Sequence, residues 1–480
     1  MMNKSVNLAM LCDFYEFTMS GGYLRSGLYK RNTYFDVFYR TTPDKGGFAI
    51  AAGLEQVVSL IKDLRFDDAD VGFLRTKGLF DERFLSYLKT FRFTGDVYAV
   101  PEGTPIFPNE PIMIVRAPAI EAQLIETFVL LALNHQSLIA TKANRIVRAA
   151  QGRTVLEFGA RRAHGADGAV VGARAAYIGG CAGTSNTLTD ELYNVPAGGT
   201  MAHSWVQMFD SEYEAFRKYC EIYPNSTTLL VDTYNTIKSG IPNAIRAFKD
   251  TGVLNGSIRL DSGDISYLSK EARRLLDEAG LYDCKIVASN SLDEYLIREL
   301  IMQGAKIDVF GVGERLITAK SDPVFGGVYK LAAVEDETGN IVPKIKVSEN
   351  TAKITNPHFK KLYRFFDKES GKAIADELCV YDEIVDETVP HTIFDPDATW
   401  KKTTLKNFTA KELLVPIFKC GELVYDLPDI EDIRSYCSRQ VDLLWDEVKR
   451  FENPHTYYVD LSQKLWDIKW RLLTLQGSNH

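Results

Sequence analysis

Ser257-Ile258-Arg259-Leu260-Asp261-Ser262-Gly263-Asp264 is the stretch on which the reading of this chain turns. Ile258 and Leu260 read as the end of a buried strand, with Arg259 between them. A glycine-bearing turn with two carboxylates follows at once. Beyond it Leu268, Ala272, Leu275 and Leu276 recur at helical spacing, so the segment reads strand, polar turn, helix. Such a junction is a common place for a ligand site.

The same unit recurs on either side. Strand-like runs stand at residues 154–158, 175–178, near Met201, 229–231, 258–260, 285–288 and 307–310, spaced by roughly 21 to 30 residues, close to the ~30 residues of a βα repeat. Helical patterns fill several gaps, at 211–219, 241–249, 270–279 and 294–302. The expected class is α/β, an irregular parallel α/β barrel of about seven strands, with an open parallel sheet as the alternative. In a parallel barrel all C-terminal strand ends lie on one face, so the polar turns that end these units should converge.

The flanks differ. Residues 8–24 and 53–64 are helical in pattern, 34–40 is an aromatic alternating strand, and short strands stand at 98–100 and 112–115. A long helical pattern runs from Glu121 to about Ala150. After the series, 329–334 and 342–347 read as a hairpin around Thr338-Gly339-Asn340, and β-rich structure continues through 360–367 and 381–384. From Asp429 the pattern turns helical, breaks at Pro454 and resumes through Leu465, Ile468 and Leu472. Four segments follow: 1–118 and 329–428 as two parts of an α/β sandwich domain, 119–328 as the barrel, and 429–480 as a helical C-terminal appendage.

With 480 residues the chain exceeds one ordinary core. A net charge of −8 gives no footprint for nucleic acid or an anionic membrane. Seven cysteines without a C-x-x-C pair argue against a disulfide framework or a Cys₄ zinc site, and no H-E-x-x-H occurs. The N-terminus lacks a signal-peptide pattern, and no apolar run approaches the ~20 residues that span a bilayer. A soluble cytoplasmic protein is the expectation.

Several residues carry chemistry. Arg259, buried among apolar neighbours, needs a partner: a neighbouring carboxylate, or a ligand carboxylate or phosphate held in fork geometry. Asp261 and Asp264 suit ribose hydroxyls or Mg²⁺, or simply cap the next helix. His203 follows glycines and small residues, so its ring is accessible, and Asp232 at the next strand end is placed to orient it for acid–base or nucleophilic work. Phe158 beside Arg161 suits a flat anionic ring, or is ordinary core. Gly311 and Gly313 expose amide groups that suit a phosphate, with Thr318 one helical turn on. No Walker-type loop is present, and the acidic run at 334–339 reads as a hairpin turn.

Read together, these stretches resemble nicotinate phosphoribosyltransferases. The motifs are Asp13-Phe14-Tyr15-Glu16-Phe17-Thr18-Met19, Glu157-Phe158-Gly159-Ala160-Arg161-Arg162, Gly183-Thr184-Ser185-Asn186, Gly199-Thr200-Met201-Ala202-His203-Ser204-Trp205, Arg259 through Asp264, Phe310-Gly311-Val312-Gly313, Val328-Tyr329-Lys330-Leu331 and 344–349. They span most of the chain in a shared order. The resemblance implies a type II phosphoribosyltransferase: an irregular barrel with a sandwich domain from both flanks, working as a homodimer with shared active sites. It implies transfer of phosphoribosyl from phosphoribosyl pyrophosphate to nicotinate, giving nicotinate mononucleotide and pyrophosphate. ATP hydrolysis is coupled to the transfer and Mg²⁺ is the cofactor. By this likeness His203 is the residue phosphorylated by ATP, and Tyr15 (across the dimer), Phe158, Thr200 and Arg259 bind nicotinate. Arg161, Asp261, Gly311, Gly313 and Thr318 face phosphoribosyl pyrophosphate. The glycine loop departs from the family pattern, since Glu314-Arg315 follows Gly313 where a threonine is common. Two other readings stay open: a nicotinamide enzyme of the same fold, and a nucleotide-binding sensor without catalysis.

Overall fold

The computed structural model describes residues 7–477. The fold is mixed α/β and divides into two compact units, Met1–Ser137 with Val324–His480, and Leu138–Pro323.

Leu138–Pro323 is built on a five-stranded parallel sheet in the order Thr154–Glu157, Val309–Val312, Lys285–Ser289, Ser257–Leu260, Thr228–Leu230. Leu229, Ile258, Leu260 and Ile286 are buried against Phe216, Phe248, Ala272 and Leu276 of the surrounding helices. Helices pack over these short strands, which is why the strands read as continuous apolar runs. The helices Glu212–Ile222, Ile265–Glu278 and Glu294–Met302 open on side-chain caps. Ser211, Asp264 and Asp293 accept from the amides of Glu214 (3.2 Å), Tyr267 (3.0 Å) and Leu296 (2.9 Å).

Two expected strands are absent. Residues 175–178 end a helix, Ala166–Ile178, in which Gly172, Ala173, Ala175, Ala176 and Ile178 are buried. Alanine is the strongest helix former, and a helix buried over much of its surface shows little polar periodicity, so the run resembled a strand. Met201 is buried in irregular chain. Beyond Thr154–Glu157 the sheet continues only as single parallel bridges, Glu157 to Thr184 and Thr184 to Ala197. The expected seven strands are therefore five strands and two bridged positions.

In the other unit, strands from before and after Leu138–Pro323 share one sheet. Asn32–Phe38 pairs antiparallel with Val328–Glu335 on one side and Met113–Pro118 on the other. The sheet ends in Ile341–Pro343 at one edge and in Asp96–Ala99, Val415–Lys419 and Glu422–Leu423 at the other. The hairpin around Thr338-Gly339-Asn340 is formed, but its second strand is only Ile341–Pro343, and 344–347 leaves the sheet as irregular chain. Alternation sends Phe35 and Val37 into a core with Val57, Ile61, Leu85 and Tyr329. A second sheet runs Phe408–Glu412, Lys360–Asp367, Ala373–Val380, Tyr458–Leu461. Residues 381–384 lie just past the Ala373–Val380 strand.

The C-terminal region is not purely helical. Tyr458–Leu461 lies between the helices Ile430–Asp442 and Gln463–Gly477 and pairs parallel with Ala373–Val380. It therefore belongs to the sheet rather than to an appendage. One helical stretch among the described residues, Ala119–Ala149, is long and apolar enough by length and composition to cross a bilayer, contrary to the reading above. Of its apolar 18-residue window 61% is buried within the protein, and its Lys142 and Arg145 each donate to Glu294 at 2.9 Å, which suits a core helix.

The second sheet carries a buried ion pair. Arg364 donates to both oxygens of Asp376, at 2.8 and 2.6 Å, and Tyr457 adds its hydroxyl at 2.8 Å. Removing one partner of a buried pair strands the other charge. Arg364→Met should lower stability by about 3–5 kcal/mol, measured by urea unfolding; a loss below about 1 kcal/mol would mean the pair behaves as if exposed.

Candidate active site

Arg259 organises the C-terminal end of the parallel sheet. Its neighbours Ile258 and Leu260 are fully buried, and its own side chain is 15% exposed. The guanidinium donates to Ser289 Oγ (2.9 Å), Thr200 Oγ1 (2.8 Å) and Asp261 Oδ1 (2.8 Å). The Ser289 hydroxyl closes a triangle by donating to the same Asp261 oxygen. Burial would raise the Asp261 carboxyl. The hydrogen bonds from Ser289 and Arg259, with the charges of Arg259 and His203, outweigh it and hold the group below its usual range. Asp261 is therefore ionised at neutral pH. A guanidinium has five N–H groups, and these three bonds with a longer one to Met201 O (3.5 Å) leave one for a ligand.

The next strand end supports this turn. Asp232 Oδ2 accepts from the Asp261 amide (2.8 Å) and the Ser262 hydroxyl (2.7 Å), while its Oδ1 is buried without a partner. The expected Asp232–His203 pair is not formed, because Asp232 is engaged by that turn. His203 Nδ1 instead shares a 3.1 Å hydrogen bond with Thr233 Oγ1. Its Nε2 has no hydrogen-bond partner among the described residues, and the ring is partly exposed. One nitrogen is held and the other is presented.

Phe158 follows the strand Thr154–Glu157 and donates its amide to Val312 O at 2.8 Å. The Arg259 guanidinium carbon lies 6.0 Å from its ring centroid. The ring also rests on bare backbone at Gly311, where a Cβ would stand 2.5 Å from Phe158 Cδ2. At Gly313 a Cβ would meet the Phe158 carbonyl oxygen at 3.0 Å. Phe158, Thr200, Arg259, Asp261, Asp232, Gly311 and Gly313 are thus linked through direct contacts, with His203 joined through Thr233, the residue after Asp232. An aromatic face beside a partly free guanidinium suits a flat aromatic carboxylate.

Three family models match the chain. The nicotinate phosphoribosyltransferase N-terminal domain matches residues 10–134, the nicotinate phosphoribosyltransferase family residues 154–379, and the C-terminal domain residues 359–469. The Bacillus subtilis nicotinate phosphoribosyltransferase is 44% identical over 468 residues, covering 97% of this chain and 95% of its own. A Mycobacterium tuberculosis nicotinate phosphoribosyltransferase is 40% identical, covering 95% and 92%. The crystal structure of human nicotinic acid phosphoribosyltransferase superimposes with a TM-score of 0.84 at 29% identity, covering 97% of this chain and all of that one.

The chain belongs to the nicotinate phosphoribosyltransferase family.

In this nicotinate phosphoribosyltransferase family member Arg161, Asp264 and Thr318 make none of the contacts above among the described residues, and Tyr15 belongs to the other unit. Tyr15 lies in the first turn of the helix Phe14–Arg25 of the other unit, 45% exposed. Next to it, Glu16 is fully buried and takes a hydrogen bond from the Thr127 hydroxyl. Arg161 is exposed on the short turn Ala160–Arg162 and forms no ion pair among the described residues. Asp264 caps its helix. Thr318 donates its hydroxyl to Glu314 O at 2.7 Å, closing a four-residue helix.

Ser289, Thr233 and Glu157 belong to the site but were not singled out from sequence. Glu157 is fully buried and accepts the Gly159 amide and the Thr184 hydroxyl. A positional signal existed for Ser289: Leu260 pairs with Ala288, so Ser289 stands beside Asp261.

Gly311→Ala would press a methyl into the Phe158 ring. The expected result is a loss of about 1–3 kcal/mol in urea unfolding with a lowered kcat/KM. Unchanged stability and kinetics would show that the ring does not need this surface.

Proposed function

We propose that the protein transfers phosphoribosyl from phosphoribosyl pyrophosphate to nicotinate, giving nicotinate mononucleotide and pyrophosphate, the first step from nicotinate towards NAD. The observation that carries this reading is Arg259 held beside the Phe158 ring with guanidinium capacity to spare. A cation there favours an aromatic carboxylate over a neutral amide, so the nicotinamide reading is the weaker one. Thr200, already on Arg259, and Tyr15 complete the nicotinate side of this reading.

In the reaction the pyridine nitrogen bonds to C1 of the ribose as the C1–oxygen bond to pyrophosphate breaks. Positive charge develops on the sugar and negative charge on the leaving group. The protein's contribution is alignment, where well-oriented reactions gain ~7–11 kcal/mol, and charge stabilisation. Asp261, ionised and fixed, faces the ribose side. Arg161, Gly311, Gly313 and Thr318 face the phosphates.

Asp232 and Asp261 fit Mg²⁺. Asp232 Oδ1 is buried without a partner beside Asp261, and Mg²⁺ that arrives with phosphates needs only one or two protein carboxylates. When bound it would neutralise the departing pyrophosphate. Asp264, whose Oδ1 caps a helix, fits this role less well.

ATP coupling through His203 belongs to the same reading. Nδ1 rests on Thr233, so Nε2 is the nitrogen presented for phosphorylation, and a phosphate there would add about two negative charges beside the substrate loops. We also take the sheet, extended by the Thr184 and Ala197 bridges, as an irregular barrel. The protein is taken as a cytoplasmic homodimer with shared sites. Exposed Phe14, Tyr15 and Met19 on one helix support that pairing surface.

Pyrophosphate release should depend on nicotinate, exceed that with nicotinamide, and be stimulated by ATP. His203→Ala should keep slow transfer and lose the stimulation. Preference for nicotinamide, or ligand binding without any pyrophosphate release, would overturn the reading. Intact ATP stimulation in His203→Ala would overturn the phosphohistidine role alone.

A further inference from the structure

Within the unit formed by residues 7–137 and 324–477 lies a cavity of about 310 Å³. That is the low end of the range for small-molecule sites. Its charged lining is one-sided: four carboxylates, Asp36, Asp395, Asp397 and Asp460, against the single amine of Lys469.

Two of these carboxylates lack a full set of partners. Asp36, 5% exposed, pairs its Oδ2 with Lys360 at 2.8 Å, while its Oδ1 is buried and accepts nothing. It shares a strand face with Phe38, two residues on, which also lines the cavity. Asp460, also 5% exposed, accepts no hydrogen bond among the described residues. Burial, then the charges of Glu377 and Asp395, push it up to about 7. Asp395 is accounted for by its own turn, accepting from the amides of Asp397 (2.9 Å) and Ala398 (3.1 Å). Lys469 is turned to Asn356 Oδ1 at 2.9 Å.

A buried carboxylate without a compensating donor costs free energy, and a donor-bearing cation in the cavity would offset it. A bare metal ion fits poorly. No group of three or more His, Cys, Asp or Glu among the described residues is placed to hold one, and the volume far exceeds an ion. Phe38 and Tyr457 also line the cavity, with Tyr457 stacked on Phe107 at 3.8 Å and the Arg40 guanidinium 5.2 Å from the Phe38 ring. We propose that this cavity binds a small organic cation of the amidinium or aromatic ammonium class, with Asp460 as its ion-pair partner. None of these residues is assigned to phosphoribosyl transfer, so the proposal stands or falls separately from that function.

The test is isothermal titration of the full chain with benzamidine at pH 8, where Asp460 carries its charge, with neutral benzamide and MgCl₂ as comparison probes. Benzamidine should bind one per chain and benzamide should not. Asp460→Asn should weaken binding by about tenfold while unfolding cooperatively in urea, and MgCl₂ should not displace the ligand. Absence of benzamidine binding at millimolar concentration, equal binding of benzamide, indifference to Asp460→Asn in a cooperatively unfolding protein, or displacement by Mg²⁺ would each overturn the proposal.

Discussion

A guanidinium placed inside an apolar strand is the constraint from which the site follows. Arg259 cannot be buried alone, because an unpaired charge in that position costs several kcal/mol. It therefore gathers Thr200 from one loop, Ser289 from the next strand and Asp261 from its own turn. Each partner is in turn held. Asp261 is clamped by Ser289 and by the Asp232 carboxylate on its amide, and Phe158 is seated on bare backbone at Gly311. The hydrogen bonds that make the arginine tolerable also fix the geometry a flat carboxylate would meet. This is preorganisation built from neighbouring strand ends and their loops, and parallel topology brings those ends together.

The other unit solves a different problem. Strands from before and after Leu138–Pro323 interleave in one sheet, and that sheet and the second one each carry an apolar core. In this unit Arg364 with Asp376 and Lys360 with Asp36 are buried as ion pairs, while Glu16 is buried on the Thr127 hydroxyl and amide. Asp460, without a hydrogen-bond donor among the described residues, lines a cavity.

Much of this was legible in the sequence because short apolar runs followed by polar turns are the mark of parallel strands between helices. Arg259 stood out since a cation between Ile258 and Leu260 has no bland solution without a partner. Ala166–Ile178 was misread because a small-residue buried helix has no polar face to set its period. Ser289 is legible as one of the converging polar strand ends but not in its role, because a lone hydroxyl carries no charge and only the strand register sets it beside Asp261. The Asp232–His203 pairing failed because side-chain reasoning omits the backbone: the Asp261 amide needed an acceptor and took Asp232. Tyr458–Leu461 was lost between two helices because its partner, Ala373–Val380, is distant in the chain.

The central claim is that the polar strand ends form one site centred on Arg259. A crystal structure with nicotinate mononucleotide bound tests it most directly. The account predicts the pyridine carboxylate on the Arg259 guanidinium, the ring against Phe158, and the ribose towards Asp261. A ligand bound at any other place, with Arg259 still closed on Ser289, Thr200 and Asp261 alone, would contradict it.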